Sequence, residues 1–335
     1  MCGSLETRNS VVTWILFILL AVIVLVVSQE GTSDSTEWLY DGHDSYNSYT
    51  ASEPGDVFYE YVVTRDLYEF DTETVNSLTS SDIDRDGSSD VILCHSNTEI
   101  VCISGKNDTV IFRYSADLPV LAGPLVLDID ADGICEMVIG LSSGTIKWFD
   151  VDDGPGSPVS VDLGNALGKY SQIIALPVEG GTFDLVVVDG IGTVFSLSSD
   201  GSQNWVVEPL KEWPRSISVY RHHDGYKVLS ATIEATNALT HMESDIVRID
   251  GGTGMVEKEL ILNRTTYNDF FTTRPSLMND SGVLNVVIAG RSGYLIDADT
   301  FSLRRLNFGI GKLSECIPVQ TVSGTGLICR GMDIL

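Results

Sequence analysis

Six segments of the chain share one pattern, a turn that contains glycine followed by a short apolar strand. Between these segments only strand-like patterns occur, and no stretch after residue 28 shows the 3.6-residue apolar periodicity of a helix. Repeats of this length that consist only of strands are typical of propeller blades. The turn glycines recur at spacings of 46, 48, 44, 57 and 42 residues and are Gly87, Gly133, Gly181, Gly225, Gly282 and Gly324.

Each repeat continues with a second strand, a further turn and a weaker outer strand, which makes four strands with the one before the glycine turn. The sequence therefore predicts an all-β fold over residues 57–335, a β-propeller of about six four-stranded blades, with seven as the alternative. The sixth repeat stops after about two strands. We expect residues 57–70 to complete that last blade; a chain cut from a longer propeller is the other interpretation.

Two of the glycine turns, residues 82–90 and 128–136, carry carboxylates at positions 1, 3, 5 and 9 and glycine at position 6. Carboxylate oxygens in a flexible loop suit calcium, and without a counter-ion the crowded acids would repel one another. An EF-hand needs glutamate at position 12, where this chain has Leu93 and Ile139 inside predicted strands. The pattern thus predicts two calcium loops between strands; the alternative is an acidic turn that holds no metal.

A resemblance to a known family rests on the second of these loops. The stretch AGPLVLDIDADG at residues 122–133, followed by EMVIG, resembles the FG-GAP or VCBS-like repeat, and residues 82–92 follow the same pattern. That repeat builds the propeller head of integrin α subunits and of many other surface proteins. Its loop holds calcium through the side chains at positions 1, 3, 5 and 9 and the backbone carbonyl at position 7. The resemblance implies two Ca²⁺ sites, one formed by Asp82, Asp84, Asp86, the Ser88 carbonyl and Asp90, and one by Asp128, Asp130, Asp132, the Ile134 carbonyl and Glu136.

The other four repeats have lost most of these acids and are expected to be metal-free turns of the same shape. Residues 192–205, GTVFSLSSDGSQNW, are similar to the blades of quinoprotein-type propellers. The resemblance as a whole therefore covers residues 57–335 as a β-propeller with FG-GAP-like repeats, in the propeller superfamily.

The N-terminal part of the chain predicts a membrane segment. Residues 11–27 form an apolar run interrupted only by Thr13, and acids but few bases follow it. We expect residues 11–28 to be a transmembrane signal anchor after a short cytosolic tail, residues 1–10; a cleaved signal peptide is the alternative. Residues 29–56 hold seven acids and no lysine or arginine, which predicts a flexible acidic stalk. The propeller is then extracellular or lumenal in a single-pass membrane protein, and secreted if the segment is cleaved.

Features of the secretory route occur after the apolar run. Acceptor triplets for N-glycosylation begin at Asn107, Asn263 and Asn279. Two cysteine pairs are candidates for disulfides, Cys94 with Cys102 and Cys316 with Cys329, and all of them could instead be small buried hydrophobes. For Cys135 we expect the buried hydrophobe. The formal net charge of −27 makes a nucleic-acid partner improbable, because such a surface repels phosphates.

Signatures of catalysis are weak in this sequence. The motif Gly140-Leu-Ser-Ser-Gly144 needs a strand-to-helix turn to act as a nucleophile elbow, and a second strand follows here instead. Residues 190–192 are likewise expected to be a hairpin turn. The adjacent His222 and His223 should point to opposite faces of a strand and so not chelate one metal.

These observations predict a membrane-tethered, extracellular, calcium-binding β-propeller, not an enzyme, that acts as an adhesion module and binds a protein or a glycan. One alternative is an extracellular enzyme, a polysaccharide lyase or hydrolase or a quinoprotein-like oxidoreductase, with its site in the central channel. Its support is limited to aromatic and acidic residues expected on loops, such as Trp148, Trp205 and Trp213. The other alternative is a scaffold subunit of a surface complex.

Overall fold

Strands are the regular elements of this chain, as the glycine-turn repeats predict. The computed structural model describes residues 26–27, 59–60, 75–95, 97–152, 156, 158–208, 213–237, 241–264, 276–280, 283–289, 293–306, 313–321 and 324–331. Within these ranges every helix or strand is a β-strand, so the all-β prediction holds for the described part of the chain.

Two short strands form a small unit of their own. Strand β1 (Val26–Val27) pairs antiparallel with β2 (Tyr59–Glu60). The described part of the predicted 57–70 segment therefore pairs with β1, and the expectation that it completes the last blade is wrong for these two residues. Of the predicted transmembrane helix only Val26–Val27 is described, as a strand; the cytosolic tail and the stalk lie outside the described residues. No helix within the described ranges is long and apolar enough to cross a membrane.

The remaining strands form antiparallel sheets in which the strand order follows the chain. Sheet 1 consists of β3 (Val75–Ser81), β4 (Asp90–His95), β5 (Glu99–Ile103) and β6 (Val110–Ser115). Sheet 2 consists of β7 (Val120–Leu127), β8 (Glu136–Leu141), β9 (Thr145–Asp150) and β10 (Val159–Asp162). Sheet 3 consists of β11 (Gln172–Pro177), β12 (Phe183–Val188), β13 (Val194–Leu197) and β14 (Gln203–Val207).

The same arrangement continues in the second half of the chain. Sheet 4 consists of β15 (Trp213–His222), β16 (Gly225–Asn237), β17 (His241–Asp250) and β18 (Val256–Arg264). Sheet 5 consists of β19 (Ser276–Asp280), β20 (Val283–Ala289), β21 (Gly293–Asp297) and β22 (Leu303–Leu306), and sheet 6 of β23 (Leu313–Thr321) and β24 (Gly324–Gly331). Sheets 1 to 5 have four strands each, as predicted for blades.

The core lies between consecutive sheets, because the inner strands are buried on both faces. In β8, Met137 and Ile139 pack in the cluster shared with sheet 1, whereas Val138 between them packs in the cluster shared with sheet 3. Strand side chains alternate between faces, so a strand covered on both sides needs the continuous apolar run seen here. The fourth strands, such as β6 and β10, are half exposed. The same alternation joins sheets 3 and 4, where Val186 packs with Ile217.

Tryptophan side chains tie neighbouring sheets together. Trp148 in β9 is buried and donates its indole N–H to the backbone carbonyl of Ser199 in sheet 3, at 3.1 Å. Trp205 in β14 is also buried and donates to the carbonyl of Gly251 in sheet 4, at 2.8 Å. The expectation that these two residues lie on loops is wrong, because both stand inside strands. The side chain of Trp213, in β15, lies outside the described residues.

Candidate metal centres

The first acidic loop connects β3 to β4 and is built around Asp82. Its Oδ1 accepts the backbone N–H of Asp86 at 3.0 Å, and its Oδ2 accepts the N–H of Gly87 at 3.0 Å. Two residues of the loop have left-handed backbones, Arg85 with φ 57° and Gly87 with φ 87°. Glycine takes this conformation without a steric cost, which explains why it stands at position 6.

The second acidic loop, between β7 and β8, has the same conformation. Asp128 accepts the N–H of Asp132 at 3.1 Å and that of Gly133 at 2.9 Å. The left-handed residues again stand at positions 4 and 6, Ala131 with φ 62° and Gly133 with φ 89°. Two consecutive sheets therefore carry one loop geometry at equivalent places, which is what the matching sequence patterns predict.

Three carboxylates converge in each loop, although not the same three. In the first loop, oxygens of Asp82, Asp84 and Asp86 lie within 4.8 Å of one another. In the second loop the three residues are Asp128, Asp130 and Glu136, again within 4.8 Å.

The residue at position 9 explains the difference. Asp90 is fully buried, and its two oxygens accept the N–H groups of Ile83 at 2.8 Å and Gly105 at 3.1 Å. Glu136 is one methylene longer, and it reaches the other carboxylates while its Oε2 accepts the N–H of Ile129 at 2.6 Å.

The remaining predicted ligands are engaged within the loops. Asp86 and Asp132 accept the N–H groups of the position-7 residues, Ser88 at 2.9 Å and Ile134 at 2.7 Å. The calcium-binding role predicted for the carbonyls of Ser88 and Ile134 stays a prediction.

Glu136 provides the test of whether these residues fit a cation. The residue is only 5% exposed, and its Oε1 has no hydrogen-bond partner. Burial, opposed by the N–H of Ile129 and supported by the charges of Asp130 and Asp128, raises the pKa of Glu136 to about 7. A buried carboxylate oxygen without a donor, beside two further carboxylates, has the environment that a bound calcium ion would satisfy. The second loop therefore fits calcium.

The first loop already has a positive charge beside it. Lys106 Nζ lies 3.5 Å from Oδ2 of Asp86. Partial desolvation and the charges of Asp90 and Asp86 raise the pKa of Asp84. The acids of the second loop make no ion pair with the described lysine and arginine side chains. Of the two loops, the first is therefore the one with a described lysine at ion-pair distance from its acids.

The two predicted disulfides have different outcomes in the structure, and the first of them is Cys94 with Cys102. Cys94 and Cys102 are buried free thiols. Cys94 pairs with Ile100 and Cys102 with Ile92, so the two cysteines are diagonal neighbours, typically about 7–8 Å apart. Such a distance is too long for a disulfide without backbone movement, and the predicted bridge is not formed.

The other cysteines have different positions. Cys316 and Cys329 are direct partners across β23 and β24; their side chains lie outside the described residues, so this disulfide stays a prediction. Cys135 is half buried and packs against the cluster between sheets 1 and 2, as an apolar residue would.

Of the predicted glycosylation sites, only Asn107 has a described side chain. It is exposed in the turn between β5 and β6, and its Oδ1 accepts the N–H of Thr109 at 3.0 Å. Asn263 lies in β18 and Asn279 in β19. The motif around Ser142 is a turn between β8 and β9, so it lacks the strand-to-helix geometry of a nucleophile elbow.

Comparisons with known proteins identify the fold. No protein-family model matches the sequence, and no curated protein sequence matches it. The crystal structure of BBS1N in complex with ARL6DN is similar, with a TM-score of 0.51 and 10% identity over 75% of this chain and 73% of that chain. The structure of the Dos1 propeller has a TM-score of 0.53 and 11% identity, over 77% of this chain and 64% of that one. Together with the four-stranded antiparallel sheets, these likenesses show that the chain folds as a β-propeller.

Proposed function

We propose that this chain is a calcium-stabilised β-propeller that binds a protein partner outside the cytosol and is tethered to the membrane by residues 11–28. The observation that carries the calcium part is the buried Oε1 of Glu136, which has no hydrogen-bond partner and lies beside Asp128 and Asp130. We assign the two acidic loops to the FG-GAP type on the residues they contain.

Calcium in these loops would stabilise the contact between sheets. Position 2 of each loop is a buried isoleucine: Ile83 packs between sheets 1 and 2, and Ile129 between sheets 2 and 3. The carbonyl of Ile129 also accepts the N–H of Phe183 in β12 at 2.8 Å. Because the carboxylates flank a residue that belongs to the intersheet core, a cation that orders them stabilises the packing of two sheets.

The binding part of the proposal rests on the fold and on the architecture predicted for the chain. A propeller presents loops from several sheets to one partner, and BBS1N, a structure of this kind, is in complex with ARL6DN. An anchor and a stalk before the propeller would hold such a surface away from a membrane. A glycan ligand and a scaffold subunit in a larger surface complex remain alternative outcomes.

Catalysis is not part of the proposal. The support for a channel enzyme was a set of aromatic residues expected on loops, and Trp148 and Trp205 are instead buried and bonded to neighbouring sheets. Calcium held by several protein oxygens serves structure, whereas catalytic metals keep an open position.

A calcium titration of the full chain tests the proposal. Calcium should raise the melting temperature of the wild type, and Asp130→Asn should reduce that rise while leaving the melting temperature in chelator nearly unchanged. Asp117→Asn, at a carboxylate that is 91% exposed and outside both loops, is the matched control. An equal loss of stability with and without calcium in Asp130→Asn would contradict the metal site.

Topology and binding are tested separately on intact cells. The proposal expects a membrane-impermeant cross-linker to trap the full chain with a surface protein. It also expects glycosidase treatment to shift the mobility of the chain, and Asn107→Gln to reduce that shift. A chain that is neither glycosylated nor reached by the reagent would contradict the extracellular location. If the chain binds glycan probes and is not cross-linked to a surface protein, the ligand is a glycan.

A further inference from the structure

The two adjacent histidines converge, which the sequence analysis predicted they would not do. Strand β15 ends at His222, and His223 and Asp224 form the turn that leads into β16. Because His223 has left the strand, its side chain no longer points to the opposite face. The two imidazole rings lie with their centroids 4.0 Å apart and their planes at 48°. The prediction that the pair cannot share a metal is therefore wrong.

A carboxylate from the next sheet completes the group. Asp299 lies in the turn after β21, in sheet 5. A ring nitrogen of His222, a ring nitrogen of His223 and a carboxylate oxygen of Asp299 all lie within 4.8 Å of one another. The closest approach is 2.7 Å, between Nε2 of His222 and Oδ1 of Asp299. Residues 76 positions apart in the chain are thus brought to one point between sheets 4 and 5.

The state of His222 suggests what this point holds. Its side chain is only 5% exposed, and its Nδ1 is hydrogen-bonded to the carboxylate of Asp224. Its Nε2 forms no hydrogen bond, although it lies 2.7 Å from Oδ1 of Asp299. Metal-ligating histidines characteristically bind the metal through one nitrogen and donate the other N–H to a carboxylate, which fixes the ring. In His222, the carboxylate of Asp224 holds Nδ1, and Nε2 faces the carboxylate of Asp299.

The charges around the histidines favour a dication. Lys227 Nζ lies 2.8 Å from Asp250 and 2.7 Å from Glu257, and Arg248 Nε lies 2.9 Å from Glu257. The charged side chains of this group are two cations, Lys227 and Arg248, and four acids, Asp224, Asp250, Glu257 and Asp299. Leaving the imidazoles out of the count, two negative charges are left without a cation. A divalent ion between His222, His223 and Asp299 would balance them.

We propose that His222, His223 and Asp299 bind a zinc-like divalent cation between sheets 4 and 5, with Asp224 as the residue that orients His222. Two imidazole nitrogens and one carboxylate oxygen suit Zn²⁺, whereas calcium takes oxygen ligands only. Three protein ligands leave one tetrahedral position for water. The site is separate from the acidic loops and differs from them in ligand chemistry.

The site is tested by zinc competition on the full chain, with a chromophoric chelator as competitor and calcium present in excess to fill the acidic loops. The wild type should bind a zinc ion that is lost in His223→Ala and in Asp299→Asn. Both residues are exposed, so these variants are expected to fold, which their melting temperatures in chelator check. Asp224→Asn should weaken zinc binding about 10–100-fold, since it removes an orienting partner and no ligand.

One control separates this site from other zinc binding. Asp117→Asn should keep the zinc affinity of the wild type, because Asp117 belongs neither to the cluster nor to the acidic loops. The proposal is overturned if His223→Ala binds zinc with the stoichiometry and affinity of the wild type, or if the wild type takes up no zinc against the chelator. In either case the histidines and acids form an ion-pair network only.

Discussion

Trp205 packs its indole ring directly on the backbone of Gly254, one sheet further along the chain. A Cβ on residue 254 would lie 2.7 Å from Cγ of Trp205, and φ at this glycine is +71°. Gly201, in the preceding pair of sheets, also has a positive φ of +88°, but a Cβ there would lie 3.0 Å from Val159 and 3.8 Å from Trp148. Both glycine turns therefore lie against side chains of the preceding sheet, and of the two it is the turn at Gly254 where a tryptophan makes the limiting contact.

The first prediction concerns this contact. Gly254→Ala should lower the free energy of unfolding by about 1–3 kcal/mol, because the left-handed backbone and the contact with Trp205 both oppose a methyl group. Gly252→Ala is the matched control in the same turn. A Cβ there would meet only Oδ1 of Asp250, at 3.7 Å, so the change should stay within about 0.5 kcal/mol. Urea unfolding of the full chain measures the free energy of unfolding of both variants. Equal losses would show that the contact of residue 254 with Trp205 does not determine the cost of the methyl group.

The second prediction concerns the pH dependence of the second acidic loop. The folded chain raises the pKa of Glu136 from 4.5 to about 7, mainly through burial. The folded state therefore holds this proton more tightly than the unfolded state does. The protonated form stabilises the fold fully below pH 4.5, and this contribution is lost as the pH rises through 7.

The difference between wild type and Glu136→Gln isolates that contribution from the other acids. In calcium-free buffer, the unfolding free energy of the wild type should fall relative to that of the variant as the pH rises across this window. In calcium the relative fall should disappear, since the ion replaces the proton as the partner of the carboxylate. A constant difference between the two proteins at every pH would contradict the burial of an unpaired Glu136.

The repeat of glycine turns was sufficient to predict the sheets, for a physical reason. Gly87 and Gly133 have positive φ and lie in turns between two paired strands. Because glycine favours this conformation, the sequence indicates where each turn occurs. The burial of both sheet faces was also predictable, because strands such as β8 are apolar along their length and show no alternation with polar residues. Local patterns of this kind depend on residues a few positions apart.

The candidate sites were predictable only in part, because convergence depends on distant residues. Asp82 and Asp128 were predicted from the patterns of their loops. The sequence did not show that the position-9 residue converges with the other carboxylates in the second loop (Glu136) and not in the first (Asp90). That difference depends on one methylene and on the N–H of Gly105. The approach of Asp299 to His222 involves two sheets and has no local pattern. The turn signal Asp-Gly after His223 was the one available indication that the strand ends there.

The third prediction concerns the buried lysine of sheet 4. Lys227 is only 1% exposed and contacts Asp250 and Glu257. Lys227→Met should lower the free energy of unfolding by about 3–5 kcal/mol, because it leaves Asp250 without its cation and leaves Glu257 with Arg248 alone. Lys258→Met, at an exposed position in β18 of the same sheet, is the control and should change stability by less than about 0.5 kcal/mol. Chemical denaturation measures the free energy of unfolding of both variants. No change in Lys227→Met would show that the carboxylates are solvated.

The fourth prediction concerns the thiols of sheet 1. Burial raises the pKa of Cys94 to about 11 and that of Cys102 to about 12, so neither forms the nucleophilic thiolate near neutral pH. In the native chain both should resist alkylation by iodoacetamide, and both should be alkylated fully in denaturant without prior reduction, since they form no disulfide. Cys135, which is half buried, is the internal comparison and should be labelled first as denaturant is added. Peptide mapping by mass spectrometry reads out each cysteine. If Cys94 and Cys102 were alkylated in denaturant only after reduction, the two residues would form the disulfide. If they were alkylated rapidly in the native chain, they would lie outside the core between sheets 1 and 2.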